Sequence, residues 1–189
     1  PSAATGGNFF VAANLTLSGT ITPGTGTTTF EGSSAQSITG TPVGNAALGN
    51  VSFEGAGTKS FTGAYASTSN FIIQSTSGAV SAPSGLLYIS GNYVNNSGTD
   101  GFTSSNTGTT TFSGTSAQTI GGTLTDAARL GTTTFEGAGT KTFVAANAST
   151  SNFIVDSTSG TVYAPSDYLS ITNNYRNNSG TDGFAHNSA

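Results

Sequence analysis

The side chains that could carry out acid–base or hydrolytic chemistry are few and are repeated along the chain. The sequence has eight carboxylates, four basic residues, one histidine and no cysteine. Glu54 and Glu136 occupy equivalent positions of an internal repeat, and Asp100 and Asp182 do the same. An active site of the kind found in polysaccharide-degrading parallel β-helices needs acids gathered once beside a basic partner. Residues copied into each repeat are typical of architecture, so the sequence predicts no enzyme and no catalytic residues.

Metal ligands and cofactor-binding motifs are equally sparse. His186 lies alone among small polar residues, a pattern that predicts neither a catalytic triad nor a histidine-rich metal site. The sequence Asn-Asn-Ser-Gly-Thr-Asp-Gly occurs at 95–101 and again at 177–183, and it resembles an oxygen-rich Ca²⁺ loop. Each copy supplies one carboxylate, Asp100 or Asp182, where such loops usually supply several. These aspartates are the calcium candidates, a corner turn is the preferred interpretation, and no cofactor is predicted.

Two lysines follow two glutamates at a fixed spacing. In both copies of Glu-Gly-Ala-Gly-Thr-Lys, the glutamate (Glu54 or Glu136) opens the segment and the lysine (Lys59 or Lys141) closes it. A hairpin or corner of the chain could pair the two charges on the surface. An exposed ion pair of this kind contributes little, typically less than about 1 kcal/mol.

Charge and composition exclude several classes of partner. Only 6% of the residues are charged, and the formal net charge is −4. The chain therefore has no basic stripe for nucleic acid and no cationic face for anionic lipid, and no apolar run approaches the roughly 20 residues that span a bilayer. Gly, Ser, Thr, Asn and Ala dominate, as in secreted bacterial surface proteins, so we predict an extracellular or cell-surface location. A chain that begins at Pro1 without a signal peptide is expected to have been processed or excised.

One long unit occurs twice, and four aromatic positions mark it. Phe30, Phe53, Phe71 and Tyr93 reappear, at one constant spacing, as Phe112, Phe135, Phe153 and Tyr175. From 25 to 102 the alignment with 107 to 184 needs no gap. A repeat of roughly 80 residues predicts a repetitive architecture. We divide the chain into a partial repeat at 1–23, a first unit at 24–105 and a second unit at 106–189.

A shorter period lies inside the unit. Phe30-Glu-Gly and the Ser-Ile-Thr-Gly after it match Phe53-Glu-Gly and Ser-Phe-Thr-Gly, with the same spacing between the two parts. The markers Phe30, Phe53, Ile72, Ile89 and Phe112 divide the unit into four steps of roughly 20 residues. The segments are short, rich in β-branched and aromatic residues, and bounded by Gly, Ser, Asn or Pro. This pattern predicts an all-β chain.

Two all-β architectures fit this pattern, a β-solenoid and a tandem pair of β-sandwich domains. The shorter period favours the solenoid, because sandwich strands have no reason to resemble one another. We predict a β-helix-like solenoid with coils of roughly 20 residues, four to each unit. Equivalent residues of successive coils then lie about 4.8 Å apart and form ladders. The predicted ladder residues are Phe30, Phe53, Phe112 and Phe135, with Ile38, Phe61, Ile120 and Phe143 beside them.

The N-terminal residues fit the same scheme. Leu15–Ile21 is similar to Leu87–Tyr93, which predicts that the chain enters the array within a unit. A solenoid without caps leaves unpaired strand edges at both ends, and no segment of the sequence is typical of a cap. Head-to-tail stacking, or donation of a strand containing Phe9, Phe10 and Val11, would satisfy those edges.

Two phrases of the sequence resemble a known group of proteins. Leu15–Phe30 (LTLSGTITPGTGTTTF) and Gly114–Ile120 (GTSAQTI) are similar to repeats of very large surface proteins of Bacteroidetes and related environmental bacteria. The resemblance implies a secreted β-solenoid or β-rich stalk, displayed in long arrays, with adhesion or fibre building as its role. It supplies no catalytic residues.

We therefore expect a non-catalytic extracellular structural protein, either a segment of an adhesin stalk or the subunit of a cell-surface filament that assembles end to end. Its expected partner is itself, with surface glycans as a further option and without nucleic acid or membrane insertion. The alternative is a carbohydrate- or ice-binding module. Tyrosines could form a sugar-stacking stripe, and repeated Thr-x-Thr pairs could present outward hydroxyls. The residues concerned are Tyr65, Tyr88, Tyr93, Tyr163, Tyr168 and Tyr175, and Thr27, Thr29, Thr109, Thr111, Thr132 and Thr134.

Overall fold

The computed structural model describes residues 7–18, 24–44 and 47–186, which form a column of short strands. The strands in chain order are β1 (Phe9–Val11), β2 (Leu15–Thr16), β3 (Thr27–Phe30), β4 (Gln36–Thr39), β5 (Asn50–Phe53), β6 (Lys59–Phe61), β7 (Tyr65–Thr68), β8 (Phe71–Ile73), β9 (Val80–Ser81), β10 (Leu86–Ile89), β11 (Tyr93–Asn95), β12 (Phe102–Thr103), β13 (Thr109–Phe112), β14 (Gln118–Gly122), β15 (Thr132–Phe135), β16 (Lys141–Phe143), β17 (Asn147–Thr150), β18 (Phe153–Val155), β19 (Val162–Tyr163), β20 (Tyr168–Ile171), β21 (Tyr175–Asn177) and β22 (Phe184–Ala185). A 3₁₀ turn lies at Asp126–Ala128.

All strand pairs in the described part of the chain are parallel. Within a unit each strand pairs with the equivalent strand one coil away, so that Phe30 lies beside Phe53 and Phe71 beside Tyr93. The predicted β-solenoid is therefore confirmed, with coils of roughly 22 residues. The sandwich alternative is wrong, because its sheets require antiparallel neighbours.

The column has three faces, which we label A, B and C. Face A contains β1, β3, β5, β8, β11, β14, β16, β19 and β22. Face B contains β2, β4, β6, β9 and β12, and continues through the 3₁₀ turn, which lies against β12, to β17 and β20. Face C contains β7, β10, β13, β15, β18 and β21. Parallel neighbours are possible throughout because the chain turns three corners in each coil before it runs along the same face again.

The second unit is rotated by one face relative to the first. The strands equivalent to β3 lie on face A in the first unit (β3, β5, β8, β11) and on face C in the second (β13, β15, β18, β21). The fourth coil of the first unit has no third strand after β12, so β13 takes that place and pairs with β10. β14 then pairs with β11. The unit contains the start of four coils, but its fourth coil lacks the third face. One unit therefore lengthens the column by three and two-thirds coils.

Stacked aromatic rings fill the column. The ladder positions pair in register, Phe30 with Phe53, Phe112 with Phe135, Ile38 with Phe61 and Ile120 with Phe143. The ring centroids of the two phenylalanine pairs lie 5.4 and 5.6 Å apart, with planes 14° from parallel in both. All of these side chains are buried. Burying one such side chain stabilises a fold by about 1.5–3 kcal/mol relative to leaving it exposed, so the ladder is a main source of stability.

Two equivalent corners show why some positions of the column allow only glycine. A Cβ on Gly57 would lie 1.9 Å from the carbonyl oxygen of Ser34 in the preceding coil. A Cβ on Gly139 would lie 1.9 Å from the carbonyl oxygen of Ser116. Both are the second glycine of the repeated sequence Glu-Gly-Ala-Gly-Thr-Lys, where one coil must approach the next closely.

Candidate functional site at the ends of the coils

The junction between the two units combines main-chain pairing with two amide side chains. β13 pairs with β10, and β14 pairs with β11. The buried Gln118 donates from Nε2 to the carbonyl oxygens of Ile89, at 3.0 Å, and of Gly91. Asn92 accepts, at Oδ1, a 2.8 Å hydrogen bond from the backbone N–H of Thr119. The second unit therefore docks on the first through a hydrogen-bonded strand edge with buried, satisfied polar groups.

The same junction occurs a second time at the N-terminal end. Residues 7–18, the leading segment, lie against the first unit as the last coil of a unit does. Gln36 donates from Nε2 to the carbonyl oxygen of Val11 at 2.9 Å and to a second carbonyl of the segment at 2.7 Å. Asn14 accepts, at Oδ1, a 2.8 Å hydrogen bond from the backbone N–H of Ser37. These bonds repeat those of Gln118 and its partners.

This placement corrects the alignment drawn from the sequence. Leu15 pairs with Ile38, as Tyr93 pairs with Ile120. Leu15 therefore occupies the position of Tyr93 and not that of Leu87, as the sequence similarity had suggested. The sequence similarity was misleading because Leu-x-Leu-Ser-Gly is too short to identify one position in a low-complexity repeat. The pairing of Leu15 with Ile38 defines the position unambiguously.

The N-terminal strand is part of the column and is not a free arm. β1 pairs along its whole length with β3, with Val11 beside Phe30. Val11 is buried, while Phe9 is 44% exposed and Phe10 is 59% exposed. In the part of the chain that the structure describes, no strand pairs with the other edge of β1. Donation of Phe9–Val11 to a neighbour would first break this pairing, so β1 acts here as the edge of face A.

The C-terminal end exposes side chains that are buried at the same positions of the first unit. Tyr93 is fully buried in the first unit, whereas its equivalent Tyr175 is 48% exposed. We define the C-terminal surface as Leu169, Ile171, Tyr175 and Phe184, the equivalents of the buried Leu87, Ile89, Tyr93 and Phe102. Tyr175 is exposed and the other three side chains are half-buried. These side chains line an open cavity of about 430 Å³. Contiguous apolar surface of this kind marks a site of interaction.

The repeated Asn-Asn-Ser-Gly-Thr-Asp-Gly segment forms a corner turn held by its first asparagine. In the first unit the buried Asn95 donates from Nδ2 to the carbonyl oxygens of Gly98, at 3.1 Å, and of Thr123, at 3.0 Å. In the second unit Asn177 makes the equivalent 2.9 Å bond to Gly180. The bond to Thr123 crosses the unit junction. The asparagine amide therefore has one role within the turn and another toward the next unit.

The structure adds no further ligands to the calcium candidates. Asp100 and Asp182 are exposed in these corner turns. Across residues 7–18, 24–44 and 47–186, no group of three or more acidic, histidine or cysteine side chains is placed to hold a metal ion. His186 is exposed, and its ring centroid lies 6.4 Å from that of Phe184 at the C-terminal end.

The lysines of Glu-Gly-Ala-Gly-Thr-Lys are buried, so the predicted surface ion pair is wrong. Lys59 donates from Nζ to the carbonyl oxygens of Gly32, at 3.4 Å, and of Glu54 and Gly55. Lys141 makes the equivalent bonds in the second unit, with one carbonyl, that of Gly114, at 3.2 Å. The sequence held a signal that we missed. Each lysine stands two residues before an inward phenylalanine, and side chains two apart on a strand share a face.

The buried amines have lowered proton affinities but no access to a substrate. Burial lowers the pKa of Lys59, and it lowers the pKa of Lys141 to about 8; the nearby glutamate charge opposes the shift in both. Lysines with such pKa values also occur in catalytic sites. Here the main-chain carbonyls of two successive coils take up the N–H donors, so each lysine holds a corner of the column together.

The tyrosines do not form one surface. Tyr93 lies in the core, Tyr65 and Tyr88 lie on face C, and Tyr163 and Tyr168 lie on faces A and B. A sugar-stacking stripe requires rings aligned on one face, and at most two of them, Tyr65 and Tyr88, share a face away from the C-terminal end.

The Thr-x-Thr pairs also lack an open row of hydroxyls. Thr29 is 6% exposed and Thr111 is 2% exposed. Tyr88 lies beside Thr111 on the neighbouring strand, and Phe10 lies beside Thr29. Thr29 and Thr111 are therefore closed to solvent, while Thr27, Thr109, Thr132 and Thr134 are half-buried.

Comparisons of the chain with protein-family models, with curated proteins and with solved structures found no match. Within the described residues, no helix is long and apolar enough to cross a membrane. The structure thus offers two candidate functional surfaces, the edge of the leading segment and the C-terminal surface, and both lie at ends of the column.

Proposed function

We propose that this chain is a non-catalytic structural protein of the cell exterior, a segment of an adhesin stalk or the subunit of a surface filament. In this proposal copies of the unit continue one column, and the column bears tension or spans distance. The observation that carries the proposal is the repeated junction. The same two amide side chains and the same strand pairs join the leading segment to the first unit and the first unit to the second.

The construction of the column supports a load-bearing role. Face A runs without interruption through nine strands from β1 to β22, across the unit junction. Pulling along the column axis loads many parallel main-chain hydrogen bonds together with the aromatic ladder. Repeat proteins of this kind gain stability from each added neighbour, so lengthening such a column is energetically favourable.

The binding-module alternative has no comparable support. Of its two sequence features, the tyrosines are divided among the faces, and the Thr-x-Thr pairs lose the hydroxyls of Thr29 and Thr111 to burial. Among the described residues, no group of three or more acidic, histidine or cysteine side chains is placed to hold a metal ion.

Immunogold labelling of intact cells that produce the protein tests the proposed role. Antibodies raised against the purified chain are expected to label extended material outside the cell envelope, without permeabilisation. Competition with the purified chain is the control and should remove the label. Labelling that appears only after permeabilisation would reject the proposed role.

A further inference from the structure

We propose that the C-terminal surface is the binding site for the first coil of another copy of the unit, which docks one face further round the column. The inference deepens the proposed function and rests on it for its biological meaning. The occupant is a copy of the edge formed by β3 and β4, Thr27–Phe30 and Gln36–Thr39. The reasons lie inside the molecule, where this docking already occurs twice.

The first unit shows what covers such a surface. Tyr93 packs edge-on against Phe112, with ring centroids 6.2 Å apart, and pairs with Ile120. Ile89 pairs with Phe112. These contacts bury both Tyr93 and Ile89 completely. The second unit carries the same two residue types at Tyr175 and Ile171, and nothing in the described chain lies over them, so an incoming Phe and Ile would complete the same packing.

The polar groups of the C-terminal surface match the same occupant. Asn174 is equivalent to Asn92, whose Oδ1 accepts a backbone N–H across the unit junction. Asn174 is already positioned by the coil beneath it, because Asn152 Oδ1 accepts its backbone N–H at 3.2 Å. The carbonyl oxygens of Ile171 and Asn173 correspond to those that receive Gln118 Nε2. A docked copy would present a glutamine to these carbonyls and an N–H to Asn174.

The leading segment lies where the C-terminal surface of a second copy would dock. Residues 7–18 already occupy the underside of β3 and β4, with the bonds that a C-terminal surface would offer. Leu15 stands where Tyr175 of a neighbour would stand. The segment therefore acts as a plug on the docking edge, and removing it should free that edge.

The docking geometry also sets the symmetry of a longer column. Each unit advances the column by three and two-thirds coils, so successive units are related by a rotation near one-third of a turn. At about 4.8 Å per coil, the rise per unit is about 18 Å, and three units repeat after about 53 Å. Successive Asn-Asn-Ser-Gly-Thr-Asp-Gly corners would then point in three directions around the column.

Deleting residues 1–18 tests the docking directly. The shortened chain is expected to form unbranched head-to-tail polymers in analytical ultracentrifugation and electron microscopy, while the intact chain remains largely unassembled. The matched control adds Tyr175→Lys to the deletion, at a position that is exposed in the single chain, and should return the protein to monomer. Helical reconstruction should give coils about 4.8 Å apart and a two-unit subunit with a rise of about 35 Å and a rotation of about 120° in either sense. A folded, monomeric shortened chain would overturn the proposal.

A chain with three units covers the case in which the deletion prevents folding. Residues 1–186 followed by a second copy of 105–186 place the occupant beside the C-terminal surface. Hydrogen exchange of 168–178 is then expected to slow by at least about a hundredfold, to the rate of 86–96 in the same molecule. Unchanged exchange of 168–178 would overturn the docking. Labelling of cells is independent of both experiments, so a failure of the proposed cellular role and a failure of the docking are distinguishable.

Discussion

Tyr93 and Tyr175 stand at the same position of two nearly identical units, yet the first is fully buried and the second is 48% exposed. The same division holds for Asn95, whose amide reaches across the junction to Thr123, and for Asn177, whose amide bonds within its own turn. The residue types are alike, and a main difference in their surroundings is the further coil that covers Tyr93 and Asn95. In this chain the side chains of the first unit are core where the second unit covers them, and the equivalent side chains of the second unit are partly exposed.

The largest expected effect comes from removing the aromatic ring of Tyr93, compared with removing that of Tyr175. Tyr93→Ala should destabilise the fold by about 3–5 kcal/mol, because it empties a packed aromatic site. Tyr175→Ala should cost less than about 1 kcal/mol, because half of that side chain is already in water. Urea denaturation of the two variants measures both values. Equal losses would show that the C-terminal coil is as well packed as the interior.

Tyr93→Phe is the control for the ring. The hydroxyl of Tyr93 is buried without a hydrogen-bond partner in the described residues, and burial raises its pKa strongly. Removing the hydroxyl should leave stability unchanged or raise it by up to about 1 kcal/mol, since an unsatisfied polar group is lost. A clear loss would reveal a partner for that hydroxyl.

The corner lysines should respond alike, because both corners lie inside complete coils. Lys59→Met and Lys141→Met each remove the donor to several buried main-chain carbonyls. We expect a loss of roughly 2–4 kcal/mol for each variant, measured by thermal and urea unfolding. Lys59→Gln places in this corner the residue type that Gln36 supplies one coil below, and should restore part of the loss. Two neutral methionine variants would refute the structural role of these amines.

The repeated junction predicts a smaller, matched pair of effects. Gln36→Leu and Gln118→Leu keep the volume but leave a backbone N–H and two carbonyl oxygens without their amide partner. Each variant should lose about 1–3 kcal/mol. The variant at Gln36 should also release the leading segment, seen as faster hydrogen exchange at residues 9–16. If only Gln118→Leu is destabilising, the leading segment is not equivalent to the end of a unit.

The smallest effect concerns pH. Because the pKa of Lys141 is lowered to about 8 in the folded state and lies near 10.4 in the unfolded chain, the unfolded chain binds more protons between these values. The free energy of unfolding of the unsubstituted chain, measured relative to that of Lys141→Met, should therefore rise with pH from about 8 toward 10. Below about pH 7 this relative free energy should not change with pH. If the stability difference between the unsubstituted chain and Lys141→Met does not change over this pH range, the pKa of Lys141 is not lowered by folding.

Much of this fold follows from spacing in the sequence. The matching segments that begin at Phe30 and Phe53 predict two coils in register, and the structure stacks those rings 5.4 Å apart. The solenoid is predictable because one aromatic at the same point of each coil is both the signal and the core. The rotation by one face was not predictable, since it depends on whether the segment after Phe102 forms a third strand, and polar Ser and Asn residues do not decide that.

The candidate site was harder to predict from the sequence than the fold, for a related reason. Equivalent residues have equal sequence signals whether they are covered or not, so Tyr175 and Tyr93 cannot be distinguished by type. The edge strand at Phe9–Val11 was noticed for its apolar residues, but its pairing with β3 depends on contacts with the next coil along the chain. Lys59 was assigned to the surface by its charge, although its position relative to Phe61 placed it inside.

Hydrogen exchange of this two-unit chain tests the central claim most directly. The segments 86–96 and 168–178 have different sequences and can be followed separately by mass spectrometry in one sample. We expect 86–96 to exchange only at the rate of global unfolding and 168–178 to exchange at least about a hundredfold faster, because only the first is covered by a further coil. Equal protection of the two segments would contradict the account, since it would mean that the C-terminal coil needs no neighbour to complete its core.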